Sequence, residues 1–283
     1  MQRALGERLD IDILSVQNWL PRQLVAGRYG SRRVFLAGDA CHLFVPTGGF
    51  GMNTGIGDAA DLAWKIAAVE EGWGGEQLLS TYDTERRPVG QFNTLEAADN
   101  YARSGDLFDV SPDLEADSAA GDAARGALAA RLPPKIKHFA PIGVHLGYRY
   151  EGSPLIVPDG TPEPALETAN YTPTARPGHR APHAWLADGR SLLDCFGRGF
   201  VLLRLGADAP ASEAMSGAAS GTGVPLSVVT VKDAKVASLY ERRLVLVRPD
   251  GHVAWRADTE PENAATLMAR VAGQSLASPV GCL

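Results

Sequence analysis

The spacing of apolar residues near the start of the chain predicts two strands, a loop and a helix. Residues 9–16 partly alternate between apolar and polar side chains, as in a half-buried strand. Residues 34–37 are continuously apolar and end at Gly38 and Asp39, the pattern of a buried strand whose carboxyl end opens into a loop. The glycine-rich loop runs to Asn53, which is predicted to cap a helix that ends at Gly72.

The middle of the chain is predicted to be helical and then extended. A helix is expected from about Glu76, and Pro88 should either kink it or start a new helix at its first position. Polar helical sequence continues to about Arg131. Seven of the 19 prolines lie between positions 154 and 182, which indicates an extended connector.

The last third of the chain has the pattern of a separate small α/β unit. Strands are predicted at 200–205 and 226–231, with a small-residue helical segment between them. A hairpin follows, with arms at 244–248 and 252–256, and a helix over 262–271 closes the unit.

Composition limits the classes of partner. The 283 residues are 45% hydrophobic and 21% charged, as in globular proteins, and the length favours two domains. A net charge of −6 argues against nucleic acid as a partner. No apolar run approaches the ~18 residues of a membrane span. The first residues carry charges where a signal peptide is apolar. The three cysteines are too scattered for a disulfide framework. We therefore expect a cytoplasmic protein without a membrane partner.

The segment from Asp39 to Asn53 is the candidate binding site. A carboxylate at a strand end suits sugar-like hydroxyls, and the partial positive charge of a helix N-terminus suits an anionic or electron-rich edge. Gly48, Gly49 and Gly51 would let a flat ring lie against the main chain. Spacing alone leaves open a tight turn that only joins strand to helix.

The residues of this segment resemble a known family. GDACH (38–42), PTGGFGMNTGI (46–56) and DAADLAWK (58–65) are similar to the second flavin-binding motif of the FAD-dependent aromatic hydroxylases, the single-component flavoprotein monooxygenases. Tyr82, ERRP (85–88), HLGYRY (145–150) and PDG (158–160) continue the similarity. RPGHRAPH (176–183), FGRGF (196–200) and VRPDG (247–251) resemble the thioredoxin-like C-terminal domain of the phenol and polyketide hydroxylase branch.

The resemblance implies an α/β fold: the C-terminal part of a Rossmann-like FAD-binding domain in residues 1–175, then a thioredoxin-like domain in residues 176–283. It implies FAD as cofactor, NAD(P)H as reductant, and hydroxylation of an aromatic, phenolic or polyketide, substrate with O2 through a flavin C4a-hydroperoxide. A homodimer is also expected. No catalytic residue and no metal ligand is assigned.

Individual site residues follow from the same resemblance. Asp39 would accept hydrogen bonds from the ribityl chain of FAD, and Pro46 would lie beside the isoalloxazine ring. Gly48 and Gly49 would line the approach of the ring. The backbone amides of the next residues would face its pyrimidine edge, where reduced flavin carries negative charge; these residues are Gly51, Met52 and Asn53.

The sequence also departs from the family pattern. Family members open with a GxGxxG turn that holds the ADP half of FAD, whereas only 37 residues precede Gly38. The segment 55–60 fits G-x-G-x-x-A but lies inside the predicted helix rather than directly after a strand, so we reject it as a phosphate loop. We expect the C-terminal portion of a hydroxylase, inactive alone, whose other half comes from a longer chain or a separate polypeptide. The alternative is a non-catalytic dimerisation or scaffold module with a remnant flavin motif.

Several smaller signals receive structural interpretations. His42 is expected to pack under the loop rather than relay protons, and Cys41 to be a small buried side chain. His179 and His183 are not expected to bind zinc, because Pro177 and Pro182 make a helix there improbable. The thioredoxin-like unit has no Cys-x-x-Cys after its first strand, at 206–210, and is expected to be redox-inactive. Trp64, Trp185 and Trp255 are expected to be core or interface anchors.

Overall fold

A computed structural model describes Gly6 and residues 10–107 and 109–274. Its first part contains two small antiparallel ladders. Strand β1 (Leu24–Val25) pairs with β4 (His42–Leu43), and β2 (Gly30–Ser31) pairs with β3 (Val34–Phe35).

The two strands expected first are not found as predicted. Residues 10–16 belong to no strand and are exposed, so the prediction of a half-buried strand is wrong there; Leu9 lies outside the described residues. The expected buried strand at 34–37 is reduced to β3, and Val34 is 67% exposed. Because β3 has only β2 beside it among the described strands, its apolar side chains lack the two covering layers that a buried parallel strand requires.

Two long helices form the body of the first part. Helix α1 (Phe50–Glu70) begins three residues before the predicted cap, with Gly49 in the left-handed region (φ 68°) at the N-cap position. Helix α2 (Gln77–Ser104) continues through Pro88, so this proline neither ends the helix nor starts a new one. Tyr82 of α2 donates a hydrogen bond to the carbonyl of Leu36 at 2.7 Å, which ties the short hairpin to the helix.

Shorter helices and the connector follow. Helices α3 (Ala119–Arg131), α4 (Ile136–Phe139) and α5 (Ile142–Leu146) come first. The connector from 147 to 191 contains only isolated bridges, as its prolines predicted. Val157 donates from its backbone N–H to the carbonyl of Ala254 at 2.9 Å, so the connector packs along the last strand of the C-terminal unit.

The C-terminal unit is a four-stranded sheet with helices on both faces. Its strands are β5 (Phe200–Leu205), β6 (Leu226–Val231), β7 (Leu244–Val247) and β8 (Val253–Ala257), in the order β6-β5-β7-β8. Strands β5 and β6 are parallel and the other neighbours antiparallel. This βαβ unit followed by a hairpin and a helix is the expected thioredoxin-like arrangement.

Alternating side chains of the central strands supply the core on each face. One face packs on α6 (Glu213–Thr222) and α8 (Ala264–Val271), and the other on α7 (Ala234–Tyr240). Helix α7 was not predicted, although Asp233 caps it by accepting hydrogen bonds from Lys235 N and Val236 N.

The first face of this sheet also packs against helix α1. Trp64 and Trp73 stack with ring centroids 6.3 Å apart, and Phe200 meets both edge-on. Trp64 and Trp255 are buried, as expected, whereas Trp185 is 67% exposed and is not a core residue, so its role as an interface anchor stays a prediction. No described helix combines the length and the apolar character that crossing a membrane requires.

Candidate functional site

The glycine-rich loop and the start of α1 border a cavity of about 680 Å³. Five of the seven predicted site residues line it: Asp39, Pro46, Gly49, Gly51 and Met52. Its remaining wall is partly apolar and includes Trp19, Leu20 and Phe44. The loop therefore brings a carboxylate, a helix N-terminus and aromatic side chains to one concave surface, which is typical of small-molecule sites.

Gly48 and Asn53 take different places. Gly48 has φ 87°, and a Cβ there would lie 2.7 Å from the ring of Phe50, so this glycine serves the turn and does not line the cavity. Asn53 lies in the first turn of α1 and donates to the carbonyl of Gly49 at 2.8 Å. It is not the cap residue that the sequence predicted, because the helix starts three residues earlier.

The N-terminus of α1 has no side-chain cap. Gly49 offers no acceptor, and a Cβ at this position would meet nothing within 4 Å. First-turn N–H groups of a helix lack intrahelical partners, and their dipoles favour a negatively charged or electron-rich ligand. The cavity at this helix end therefore favours a ligand with a negatively charged or electron-rich edge.

Asp39 is the exposed carboxylate of the site. It lies in the 3₁₀ turn Gly38–Ala40, and no hydrogen bond or ion pair to another described residue engages its side chain. A carboxylate that is free of protein partners at the edge of a cavity can accept hydrogen bonds from ligand hydroxyls.

A buried polar cluster lies directly below the turn and is centred on Asp58 of α1. Asp58 Oδ2 accepts from Gly38 N at 3.2 Å and from His42 Nε2 at 2.6 Å, and Oδ1 accepts from Arg86 Nε at 2.9 Å. Burial tends to raise the pKa of Asp58, but the hydrogen bond from His42 and the charge of Arg86 outweigh it and lower the pKa from its ordinary value.

His42 and Cys41 fit the structural interpretation given to them. Both are buried under the loop. Burial, with Asp58 nearby, raises the pKa of the Cys41 thiol to about 12, so the thiol is protonated at neutral pH and is a poor nucleophile. His179 pairs with Glu163 at 2.9 Å, while His183 is exposed.

A second buried cluster joins α1 and α2 to the C-terminal sheet. Arg248 binds both oxygens of Glu85, at 2.6 and 2.8 Å, and also Asp61 at 3.1 Å. Lys65 donates to Asp61 at 2.7 Å and to Glu85 at 2.6 Å. The arginine and lysine occupy the space between the carboxylates, which favours an ion-pair cluster over a metal site.

The two carboxyl groups respond oppositely to this environment. Burial raises the pKa of Asp61 to about 7. Glu85 is also buried, but the charges of Arg248 and Lys65 outweigh burial and lower its pKa to about 2.

Sequence reasoning did not identify these buried charges as parts of the site. Asp58 belongs to the DAADLAWK (58–65) resemblance and to the rejected phosphate-loop pattern, but neither gave it a role. The spacing of Asp58, Asp61 and Lys65, three and four residues apart, places them on one face of α1 and was the available signal.

Comparisons with known proteins show the family of the chain. The family described as "FAD binding domain" matches residues 3–97, and the family described as "Aromatic-ring hydroxylase, C-terminal" matches residues 174–275. The chain belongs to the FAD-dependent aromatic-ring hydroxylases. Its fold is accordingly the C-terminal part of a Rossmann-like FAD-binding domain followed by a thioredoxin-like domain.

Relatives in this family match nearly the whole chain. "FAD-dependent monooxygenase apdD" of Emericella nidulans is 38% identical over 286 residues, covering 94% of this chain and 45% of the relative. The structure "Chromopyrrolic acid-soaked RebC with bound 7-carboxy-K252c" has a TM-score of 0.87 and 44% identity, covering 97% of this chain and 52% of that chain. The structure "flavin-dependent monooxygenase PieE in complex with FAD and substrate" has a TM-score of 0.81 and 36% identity, covering 97% and 53%. The chain spans about half the length of the relatives it matches.

Proposed function

We propose that this chain forms the isoalloxazine side of the flavin site in an FAD-dependent monooxygenase that hydroxylates an aromatic, phenolic or polyketide, substrate with O2 and NAD(P)H. The observation that carries the proposal is the cavity that joins Asp39, Pro46 and Gly51 at the uncapped N-terminus of α1. Family membership supports this function over a non-catalytic scaffold.

The residues of the cavity have separate roles in this proposal. Asp39 accepts hydrogen bonds from the ribityl hydroxyls, and Pro46 lies beside the flavin ring. Gly48 forms the turn before the helix, and Gly49 lines the cavity. Because neither residue has a side chain, the path by which the flavin ring approaches stays open. The first-turn amides of Gly51, Met52 and Asn53 hold the negatively charged edge of the reduced ring. FAD supplies the redox chemistry when bound, and the protein contributes position and exclusion of water.

An aromatic substrate suits the apolar wall of the same cavity. Trp19, Leu20 and Phe44 offer ring faces and aliphatic surface beside the proposed flavin position. The neighbours solved with 7-carboxy-K252c and with FAD and substrate support a bound aromatic small molecule.

The proposal includes a partner that completes the FAD site. The ADP half of the cofactor and NAD(P)H would bind the half of the hydroxylase that is supplied by a longer chain or by a separate polypeptide. Exposed apolar side chains at the short strands, Leu24 and Val34, are suitable contacts for additional strands from that half. We further propose a domain boundary at 175/176, a redox-inactive thioredoxin-like domain, a homodimer, and a cytoplasmic location.

Titration with FAD tests the function. The chain is compared alone and fused to the part of RebC that it does not cover, and flavin fluorescence, visible absorbance and substrate-dependent NAD(P)H oxidation are measured. We expect the fusion to quench flavin fluorescence, to retain the yellow cofactor and to oxidise NAD(P)H, and the chain alone to be inactive. A fusion that is folded by circular dichroism but retains no flavin contradicts the proposal.

A further inference from the structure

The carboxylate of Asp58 contacts the backbone residue that precedes Asp39. Asp58 is completely buried in α1, and its Oδ2 accepts the N–H of Gly38 at 3.2 Å. We propose that Asp58 is a positioning residue that fixes the Gly38–Ala40 turn, and with it the direction of the Asp39 carboxylate, against α1. The consequence for FAD rests on the proposed function, whereas the fixed turn does not.

The turn needs such a restraint because its first residue is a glycine. Gly38 has φ 58°, a conformation that glycine exchanges easily for others. Its Cα also lies close to the helix: a Cβ on Gly55 would be only 3.0 Å from it. The close approach at Gly55 and the hydrogen bond to Asp58, one turn further along α1, hold the turn at two points.

The Asp58 carboxylate is itself held rigidly. His42 Nε2 donates to Oδ2 at 2.6 Å, and Arg86 Nε donates to Oδ1 at 2.9 Å. Arg86 also donates from Nη2 to the carbonyl of Thr54 at 3.1 Å, so its guanidinium cannot move without breaking a contact to α1. Charge-assisted bonds of this kind favour one orientation of the carboxylate.

Asp39 depends on this support because no other described side chain directs it. Its carboxylate is exposed and makes no hydrogen bond within the described part of the chain. The path of the backbone through Gly38 therefore sets where the carboxylate points. Asp58 acts on the ligand only through that path, since it is buried and does not line the cavity.

Two variants weaken the contacts that hold the Gly38–Ala40 turn against α1, one at Asp58 and the other at Gly55. Asp58→Asn keeps the size of the side chain but presents an NH₂ group where only acceptors fit, and it leaves Arg86 without its counter-charge. Gly55→Ala removes no charge and pushes the turn away from α1 with its Cβ. Gly126→Ala is the matched control, because this glycine is also helical and a Cβ there meets nothing within 4 Å.

Hydrogen exchange of the purified full chain without FAD tests the support directly. We expect the amides of 38–41 to exchange about tenfold faster in both variants, as loss of a hydrogen bond to a charged group implies, and to be unchanged in Gly126→Ala. If Asp58→Asn does not fold, Gly55→Ala decides alone. Unchanged exchange at 38–41 in the folded variants overturns the proposal.

A double-mutant cycle tests the consequence for FAD, using the fusion described above. Asp39→Ala and Asp58→Asn should each raise the dissociation constant for FAD about tenfold, and the double variant should bind no worse than Asp39→Ala, because Asp58 acts through Asp39. If the two increases in the dissociation constant multiply in the double variant, Asp58 acts independently of Asp39, and the positioning role is overturned. If the unmutated fusion binds no FAD, the proposed function fails. The hydrogen-exchange experiment, which uses the chain without FAD, still tests whether Asp58 fixes the turn.

Discussion

The guanidinium of Arg248, the residue after β7, forms a bidentate ion pair with the carboxylate of Glu85, 163 positions earlier in α2. Both side chains are fully buried, and Asp61, Lys65 and Asp250 complete the cluster. The contact therefore joins the C-terminal sheet to the two helices of the FAD-binding part through charges rather than through apolar packing alone.

Removing Arg248 should be strongly destabilising. Arg248→Ala leaves Glu85 buried without its main partner, and breaking a buried pair in this way costs about 3–5 kcal/mol. Urea unfolding measures this loss. The control, Arg242→Ala, removes an arginine that meets Asp258 only at 3.7 Å near the surface and should change stability by less than about 1 kcal/mol. Equal effects of the two substitutions would contradict a structural role for the buried pair.

Asp61 should make stability depend on pH. Burial raises its pKa from 3.8 to about 7, so between these values the folded state binds more protons than the unfolded state, and stability falls as pH rises. Asp61→Asn removes this titration. Its stability relative to the unmutated chain should therefore improve from pH 5 to pH 8.

Urea unfolding at several pH values measures this difference. His179 and His252 have lowered pKa values and act in the opposite direction, but they are common to both proteins and cancel in the comparison. Asp122→Asn, on the surface of α3, is the matched control for replacing a carboxylate by an amide. A constant difference between pH 5 and pH 8 for Asp61→Asn would show that Asp61 does not titrate there.

The two glycines before α1 should differ in their tolerance of alanine. Both have positive φ, 87° for Gly48 and 68° for Gly49, so alanine is strained at either by about 1–3 kcal/mol. At Gly48 the Cβ also meets the ring of Phe50 at 2.7 Å, while at Gly49 it meets nothing within 4 Å. Thermal unfolding should therefore show a larger loss for Gly48→Ala, and the reverse order would contradict the conformation of the loop.

Asp39→Ala should weaken retention of FAD in the fusion protein without changing the thermal stability of the FAD-free protein. The exposed carboxylate has no described partner in the protein, so its loss removes only hydrogen bonds to the ligand, about tenfold in affinity for one such bond. Flavin content after gel filtration measures the effect, with Asp188→Ala, in the distant connector, as the control. Unchanged flavin content would remove Asp39 from the proposed site.

Local signals in the sequence determined much of the fold. The bounds of β5 and β6 agree with the predicted strands 200–205 and 226–231. A run of β-branched and apolar residues between turn-forming residues is a signal that lies within the segment itself. The glycine loop and the helix after it were also predicted, and five of the seven predicted site residues line the cavity, whereas the strand expected before the loop is reduced to β3. The start of α1 at Phe50 was missed, because a glycine in the left-handed region occupies the cap position where sequence patterns favour asparagine.

Tertiary structure decided which polar side chains are buried and which apolar ones are exposed. The sequence of α1 has the pattern of an ordinary helix, although Asp58, Asp61 and Lys65 are buried in it. Their burial depends on Arg86 and Arg248, up to 187 positions away. Val34 is exposed although its surroundings are apolar, because burial of a strand depends on neighbouring strands. Periodicity and turn chemistry are local properties of a chain, whereas the burial of a charge is favourable only when a distant partner compensates it, and only the folded chain shows that partner.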